Sequence, residues 1–568
     1  MVTGSPVSDV GACDYLVIGG GSAGCVLAAR LSENAAAKVV LIEAGEGAPP
    51  GSEPEAVRDT RFRTLNDPRF LWPGLVAEYS ANGFGPLPFG QARILGGGSS
   101  INGMHAQRGL PTDYDEWRQL GVVGWGWEDV LPFFKRLESD RDFGGNVHGR
   151  DGPLNIERVP ENEWSGLSRS IAQALSKQGL RYLQDLNGET GDGFGPVPLN
   201  VGGNARQTSA AAYLTAAARA RPNLRILTGC MASRLLIDGG RVVGAIVGEG
   251  TGAITIRAGE TILSCGALHS PALLMRSGIG PATQLRAAGI DVVVDRTGVG
   301  ANLLNHPMFI LAAHLRPAGR QKGHVRPPCP MVVRYSSGMP GCPETDMLLN
   351  VWERTPNTLA WDPLGRQVAN LMVIINKIFS QGSVTIEANR SLAVRFNLLD
   401  DIRDRDRMVA SLRFLATLVR DEPVERVVDA AFVPAMTPLA LLLMQDNWKA
   451  QFLSIAGAAA LSGPGGLRER ILREAGMPLD AVLADEAGLD EFVRRTVLPG
   501  GHVAGTCRMG DPAQQTSVVD SRCRVIGVGG VRVADASIFP TLMAAGTNLP
   551  VMMAAEKVAE MTREESRA

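Results

Sequence analysis

The 568-residue chain has no run of like charge, and its 56 basic and 58 acidic residues leave a formal charge of −2. That balance argues against a nucleic-acid surface and against an electrostatic membrane anchor. No apolar stretch approaches the roughly 18 residues needed to cross a bilayer. The segment Pro438 to Met444 is short and is broken by Gln445, Asp446 and Asn447, so it reads as core, as a domain contact or as a flap over a pocket. Met1 to Gly11 lacks a basic stretch followed by an apolar one, so no signal peptide is expected. The eight cysteines are scattered, with no C-x-x-C pair and no paired histidines, which argues against a metal site and a disulfide framework. A cytoplasmic location is the expectation. What is present is 45% apolar residues over a length that exceeds one hydrophobic core, so two domains are expected.

Asp14 to Gly24 runs an apolar strand into a G-x-G-x-x-G turn. Gly19 allows the tight turn, Gly21 lets the backbone approach a pyrophosphate, and Gly24 lets the helix predicted over 22–33 lie close to the sheet. Ser22 and Ala23 open that helix, whose free N–H groups and partial positive charge face the phosphates. Glu43, followed by Ala44 after a second strand, lies about twenty residues beyond the glycines, where a carboxylate meets ribose hydroxyls and repels a 2′-phosphate. The clamp fits FAD or NAD better than NADP.

Arg93 to Gly103 is glycine-rich, too flexible for a helix and too small-sided for a core strand, and reads as backbone lying against a ligand. Short strands are predicted at Leu224 to Leu227, Ser233 to Ile237, Val242 to Val247, Ile254 to Arg257 and Glu260 to Leu263, as a small meander. Ser270 is read as an N-cap with Pro271 in the first turn after it. Between about 310 and 494 the pattern changes, with strands at Met331 to Tyr335, Met347 to Trp352, Ala369 to Asn376 and Gly382 to Ile386, and a helix over Arg403 to Arg420. The chain then returns to the first domain with a strand ending at Asp535, a place where parallel sheets bind ligands.

Of seven histidines, His502 stands out because small residues on both sides leave its imidazole uncrowded, and histidine is the side chain suited to act as a base near neutral pH. Asn548, two residues before Pro550, reads as the N-cap of a helix running to about Arg563, whose N-terminus favours negative charge placed before it.

Taken together, the Gly19 to Gly24 clamp with Glu43, the Gly96 to Ser100 loop, Gly266-Ala267 with Ser270-Pro271, Ser277 to Gly280, His148-Gly149 with Gly152 to Leu154, His502, and Asp535 with Asn548 resemble the glucose-methanol-choline (GMC) flavoproteins. The resemblance runs from about residue 12 to 560. It is nearest to bacterial hydroxymethylfurfural and aryl-alcohol oxidases at Leu95 to Asn102, Arg108 to Pro111 with Asp113 to Trp117, and Val533 to Ser537.

The resemblance implies an α/β fold: a Rossmann-like FAD-binding domain (12–310 with 495–560) and an α+β substrate domain with an antiparallel sheet (311–494). It implies FAD, with Gly98, Ser99, Asn102, Gly103, Met104 and His105 along the isoalloxazine ring and Ala232 at the adenine. Asp535 and Ala536 fall near the ribityl and pyrophosphate, and Asn548 with Leu549 near the pyrimidine end. Some relatives attach FAD through a histidine directly after the paired serines. Here that residue is Ile101, so dissociable FAD is expected.

The implied reaction is oxidation of a small-molecule alcohol, primary and of aryl or allylic type, to the aldehyde by hydride transfer to flavin N5. His502 takes the hydroxyl proton and Asn548 hydrogen-bonds the same oxygen. Gly500 and Gly501 point to a roomy pocket open to bulky primary or secondary alcohols. Oxygen is the favoured acceptor, and a dehydrogenase using another acceptor is an alternative. A hydroxynitrile lyase, a fatty-acid photodecarboxylase and a non-catalytic flavin module remain as rivals on the same fold.

Overall fold

Continuous apolar runs such as Leu16-Val17-Ile18 and Val39 to Ile42 are what a sheet covered on both faces requires, and both strands are buried in the computed structural model. The structure describes residues 11–64, 67–80, 85–355, 362–388, 391–435, 437–443 and 447–566. Strand Cys13–Ile18 pairs in parallel with Val39–Glu43 on one side and with the second half of Ile254–Leu263 on the other. Leu224–Thr228 extends the parallel sheet beyond Val39–Glu43, and Val531–Val533 extends it beyond Ile254–Leu263. The carboxyl ends of these strands carry Glu43 and, two residues past Val533, Asp535.

The meander expected over 224–263 is corrected in two respects. Leu224–Thr228 belongs to the parallel sheet, and the two last strands are one, Ile254–Leu263. Its first half pairs antiparallel with Arg241–Val247 and its second half joins the parallel strands. A change of partner within one strand leaves no break in its hydrophobic pattern.

The second sheet is antiparallel, in the order Gly476–Pro478, Val428–Pro434, Pro307–Leu315, Val368–Ile375, Met347–Trp352, Met331–Tyr335, Gly193–Pro196, and Leu498–Pro499 pairs with the start of Pro307–Leu315. It therefore draws Gly193–Pro196 from the N-terminal half and crosses both ends of the 311–494 interval. The predicted strand at 382 to 386 stands apart, as Ser383–Ile386 paired with Leu392–Arg395. Helix Ile402–Arg420 covers one face of the large sheet with Met408, Leu412 and Leu415. The period of two sends the even-numbered Met308, Ile310, Leu348, Met372 and Ile374 to the opposite face, where they line a cavity.

Helices Ser22–Leu31 and Asn548–Glu565 lie side by side, tied by Arg30 to the buried Glu556 at 2.8 Å, and the same carboxylate accepts a 2.6 Å hydrogen bond from the hydroxyl of Tyr213, at the end of helix Ser209–Tyr213. Both N-termini face the cavity. Of the apolar segment after Pro438, Pro438–Leu443 is helical and Met444 to Asp446 lie outside the described residues. Among the described residues, no helix is long and apolar enough to cross a membrane.

Candidate active site

One cavity of about 2950 Å³ runs from the glycine turn to the inner face of the antiparallel sheet. Gly19, Gly21, Ser22, Ala23, Glu43, Ala44, Gly98, Asn102, Gly103, His105, Ala232, Asp535, Ala536, His502 and Asn548 all line it. Gly24, Ser99, Met104 and Leu549 do not. Gly24 lies so close to the carbonyl of Gly19 that any side chain would collide with it, and Ser99, Met104 and Leu549 are fully buried behind the wall.

The glycine loop after Arg93 makes one 3₁₀ turn, Gly97–Ser100, where no helical turn was expected. Gly97 has φ +52° and a Cβ there would sit 2.6 Å from the Cα of Gly21, so the two glycine turns meet backbone to backbone. Ser99 Oγ donates to the Gly96 carbonyl at 2.5 Å and closes the turn. At Gly98 a Cβ would meet nothing, because that position opens on the cavity. Asn102 Oδ1 accepts from the Met104 amide at 3.0 Å and from Arg206 Nη1 at 2.8 Å.

Glu43 Oε2 accepts the Gly20 N–H at 2.8 Å and Oε1 accepts the Gly45 N–H at 2.7 Å. Burial raises its pKa against these bonds, and the carboxylate stays at the cavity wall. Asp535 accepts from the Gly266 amide at 2.9 Å, from Ser270 Oγ at 2.5 Å and from the Ser537 amide at 2.8 Å. Ser270 is thus not an N-cap: the helix starts earlier, as Gly266–Arg276, with Pro271 inside it. Proline has no N–H to give the carbonyl four residues back, that of Ala267. The Thr506 hydroxyl supplies the missing donor at 2.5 Å.

His502 is set on the cavity wall by its own amide, which donates to Asn305 Oδ1 at 3.0 Å. His502 Nδ1 lies 2.9 Å from His306 Nδ1, and His306 Nε2 lies 2.9 Å from the carbonyl of Asn376. The tautomers follow from this network. A carbonyl only accepts, so His306 Nε2 carries the hydrogen, and its Nδ1 accepts one from His502 Nδ1. His502 Nε2 is left bare. Burial, then the neighbouring His502, hold His306 well below its ordinary pKa and neutral. Burial alone lowers His502 to about 4, so both rings are uncharged near neutrality.

Asn548 departs from expectation. The helix N-cap is Thr547, and Asn548 is its first helical residue. Its Oδ1 accepts from Ser22 Oγ at 2.8 Å, joining the two helix N-termini. The residue beside His502 Nε2 is Gly546, where a Cβ would lie 3.2 Å away. The loop carrying Gly546 is pinned by Asp113, whose Oδ2 accepts the Ala544 amide at 2.8 Å. Lys377 Nζ in turn bridges Asp113 (2.9 Å), Glu116 (2.7 Å) and the Leu542 carbonyl (2.9 Å).

The His148 motif forms a buried ion network away from the cavity. His148 Nδ1 lies 3.0 Å from Glu138 and 3.2 Å from Asp140, and Nε2 lies 2.7 Å from Asp185. Arg158 pairs with Asp140 and Asp185, and Arg108 with Glu138. Burial opposes a charge on His148, but its hydrogen bonds to Asp140, Asp185 and Glu138 prevail and hold it up to about 10. Glu138, Asp140 and His148 could group around a metal ion, yet the protonated ring and the two guanidiniums already neutralise the carboxylates.

Sequence reasoning missed His306, Asn376 and Gly546. His306 sits in Leu303-Leu304-Asn305-His306-Pro307, before an ordinary buried strand, and no local pattern separates it from a core histidine. Asn376 follows strand Val368–Ile375 directly, and both polar atoms of its side chain are buried without a partner.

Residues 13–308 match the N-terminal family model of the GMC oxidoreductases, and residues 379–555 match the C-terminal one. The chain is 36% identical over 561 residues to a 5-(hydroxymethyl)furfural oxidase of Methylovorus sp. (strain MP688), covering 96% of this chain and 98% of that protein. It is 31% identical over 578 residues to an oxygen-dependent choline dehydrogenase of Sinorhizobium fredii, covering 96% and 95%. The crystal structure of pyridoxine 4-oxidase from Mesorbium loti superposes with a TM-score of 0.79 at 29% identity, covering 97% of this chain and 99% of that one.

Proposed function

Because the chain belongs to the GMC oxidoreductase family, whose enzymes depend on FAD, we propose that it oxidises a primary alcohol of aryl or allylic type to the aldehyde, with oxygen as acceptor. The observation that carries this reading is the hydrogen-bond chain Asn376–His306–His502, which ends on a bare Nε2 facing Gly546 in the cavity.

The residues fit FAD. The cavity joins the clamp to the sheet without a break, Gly98 opens on it, and Glu43 meets it as a carboxylate that favours hydroxyls over a phosphate. Gly19, Gly21, Ser22, Ala23 and Asp535 belong to the phosphate and ribityl part, Glu43, Ala44 and Ala232 to the adenosine part, and Asn102, Gly103 and His105 to the ring. Asn548 belongs with the cofactor's pyrimidine end, not with the substrate oxygen. Ile101, at the cavity wall, has no nucleophile, so the cofactor is dissociable. Segments 12–310 and 495–560 hold the cofactor, and 311–494 supplies most of the substrate cover.

When bound, FAD supplies the hydride acceptor. His502 Nε2 takes the hydroxyl proton of the alcohol while His306 holds its other nitrogen as the donor. Beside Nε2 stands Gly546, and the Asn548 Oδ1 is engaged by Ser22 Oγ. Gly546 and Gly501 leave room above the imidazole for the carbinol carbon.

Anaerobic mixing of the purified protein with benzyl-type, furanic and aliphatic primary alcohols tests the reading. Bleaching of the flavin band is the expected result, and its return on admitting air identifies an oxidase. A flavin that no alcohol bleaches would overturn it. Flavin that stays on the polypeptide after acid precipitation would overturn the non-covalent assignment.

A further inference from the structure

Helix Trp448–Leu461 is apolar on both sides. Ala450, Ser454, Ala458 and Leu461 form a buried inner stripe, whose apolar members pack with Ala312, Leu364 and Phe432. Ala312 lies two residues beyond Ile310 on strand Pro307–Leu315, so it shares the face that lines the cavity, and the helix covers the sheet beside it. The outer stripe, half a turn round, is Trp448, Phe452, Ile455 and Ala459. Its three large side chains are 72%, 65% and 54% exposed. A helix that is apolar all round is ordinarily covered on every side.

This helix starts at the cavity. Asn447 Oδ1 accepts the Ala450 amide at 2.9 Å and caps the helix, and Asn447 also lines the cavity. Val76, Leu87 and Leu498 line it too and are exposed, and Leu498 pairs with Met308 on the sheet wall. Exposed apolar side chains thus lie both at the opening of the cavity and along the helix that begins there.

We propose that Trp448, Phe452 and Ile455 dock the protein on a lipid bilayer, with the opening of the cavity against the membrane surface. Lys449 is the one charge of the helix, and its ammonium lies 5.9 Å from the centroid of the Trp448 ring. Tryptophan and lysine side by side suit the headgroup level, where the ring takes the apolar boundary and the ammonium meets lipid phosphate. The helix has no carboxylate to repel an anionic lipid. A second copy of the chain fits the stripe less well. Aromatic side chains bury roughly 150–250 Å² each, so the three residues expose on the order of 400 Å². A stable dimer takes about 800 Å² from each partner. A globular partner on Trp448 would also lie over the opening beside it, whereas a bilayer brings apolar compounds to that opening without a passage through water. The docking does not depend on the reaction assigned to the cavity.

The test sediments the holoenzyme with vesicles of phosphatidylcholine and phosphatidylglycerol. The wild type should pellet with them, and the double variant Trp448→Glu, Phe452→Glu should bind roughly 10-fold less or weaker still, because affinity scales with the apolar area buried. Val123→Glu, at an exposed valine outside the helix, should bind as the wild type does. Vesicles with brominated acyl chains should quench tryptophan emission, and the quenching should shrink in Trp448→Phe, which keeps the stripe apolar. A wild type that stays in the supernatant, a double variant that still pellets, an equal loss in Val123→Glu, or quenching that Trp448→Phe leaves unchanged overturns the docking. A dimer in light scattering that the double variant abolishes, without vesicle binding by the wild type, gives the stripe to a second copy and overturns it as well.

Discussion

The two walls of the cavity are built on different principles. The clamp side is mostly backbone: two glycine turns in direct contact, two helix N-termini joined by Ser22 and Asn548, and carboxylates already engaged by amides. The sheet side is made of side chains, with Met308, Ile310, Leu348, Met372 and Ile374 forming an apolar face around Asn350, Trp352 and Asn376. A surface of satisfied backbone groups suits one constant ligand. Side chains on a rigid sheet suit selection among ligands, because the shape and apolar surface they present change with each residue.

The sharpest break of this contrast is Gly97→Val, which drives a side chain into Gly21. The purified variant should lose nearly all bound flavin, read as the ratio of flavin to protein absorbance; retained flavin would show that the two glycine turns can separate at little cost. His502→Ala strikes the other wall. It should keep its flavin and lose roughly 10²- to 10⁴-fold in the rate of flavin reduction by alcohol. In the wild type that rate should be flat above pH 5 and fall as the pH drops through about 4, where the base becomes protonated.

His148→Gln touches neither wall and measures what holds them together. Leaving three carboxylates without the imidazolium should cost about 3–5 kcal/mol, seen in the unfolding midpoint. The pKa of His148 is higher in the fold, about 10, than its ordinary 6.5, so this contribution is complete below pH 6.5 and is lost as pH rises through about 10. The gap between variant and wild type should close over that window. Thr506→Val, which orphans the Ala267 carbonyl, should cost about 1–3 kcal/mol and leave flavin content unchanged. A drop in flavin would mean that this bond also sets the position of Gly266 at the cavity.

The glycine clamp, Glu43 and the strand before Asp535 were legible because each depends on short-range geometry: a turn, a strand end, a helix start. Met331–Tyr335 and Met347–Trp352 were legible to the residue, since turn-forming segments bound a β-rich run on each side. Ser270 was misread because a Ser-Pro pair resembles a helix start, while a hydroxyl 236 positions down the chain, that of Thr506, makes a proline tolerable inside the helix.

The sequence by itself determined the glycine turn that joins strand Cys13–Ile18 to helix Ser22–Leu31, since glycine spacing is a local property. It also singled out His502, through the small residues around it. Tertiary structure alone decided which nitrogen of that histidine is free, because the answer passes through His306 and Asn376, which approach from two strands of a sheet. It also decided that Gly546, not Asn548, stands beside that nitrogen. The helix phase at Thr547 turns Asn548 towards Ser22, and a side chain's direction at a helix start is settled by what packs against the helix.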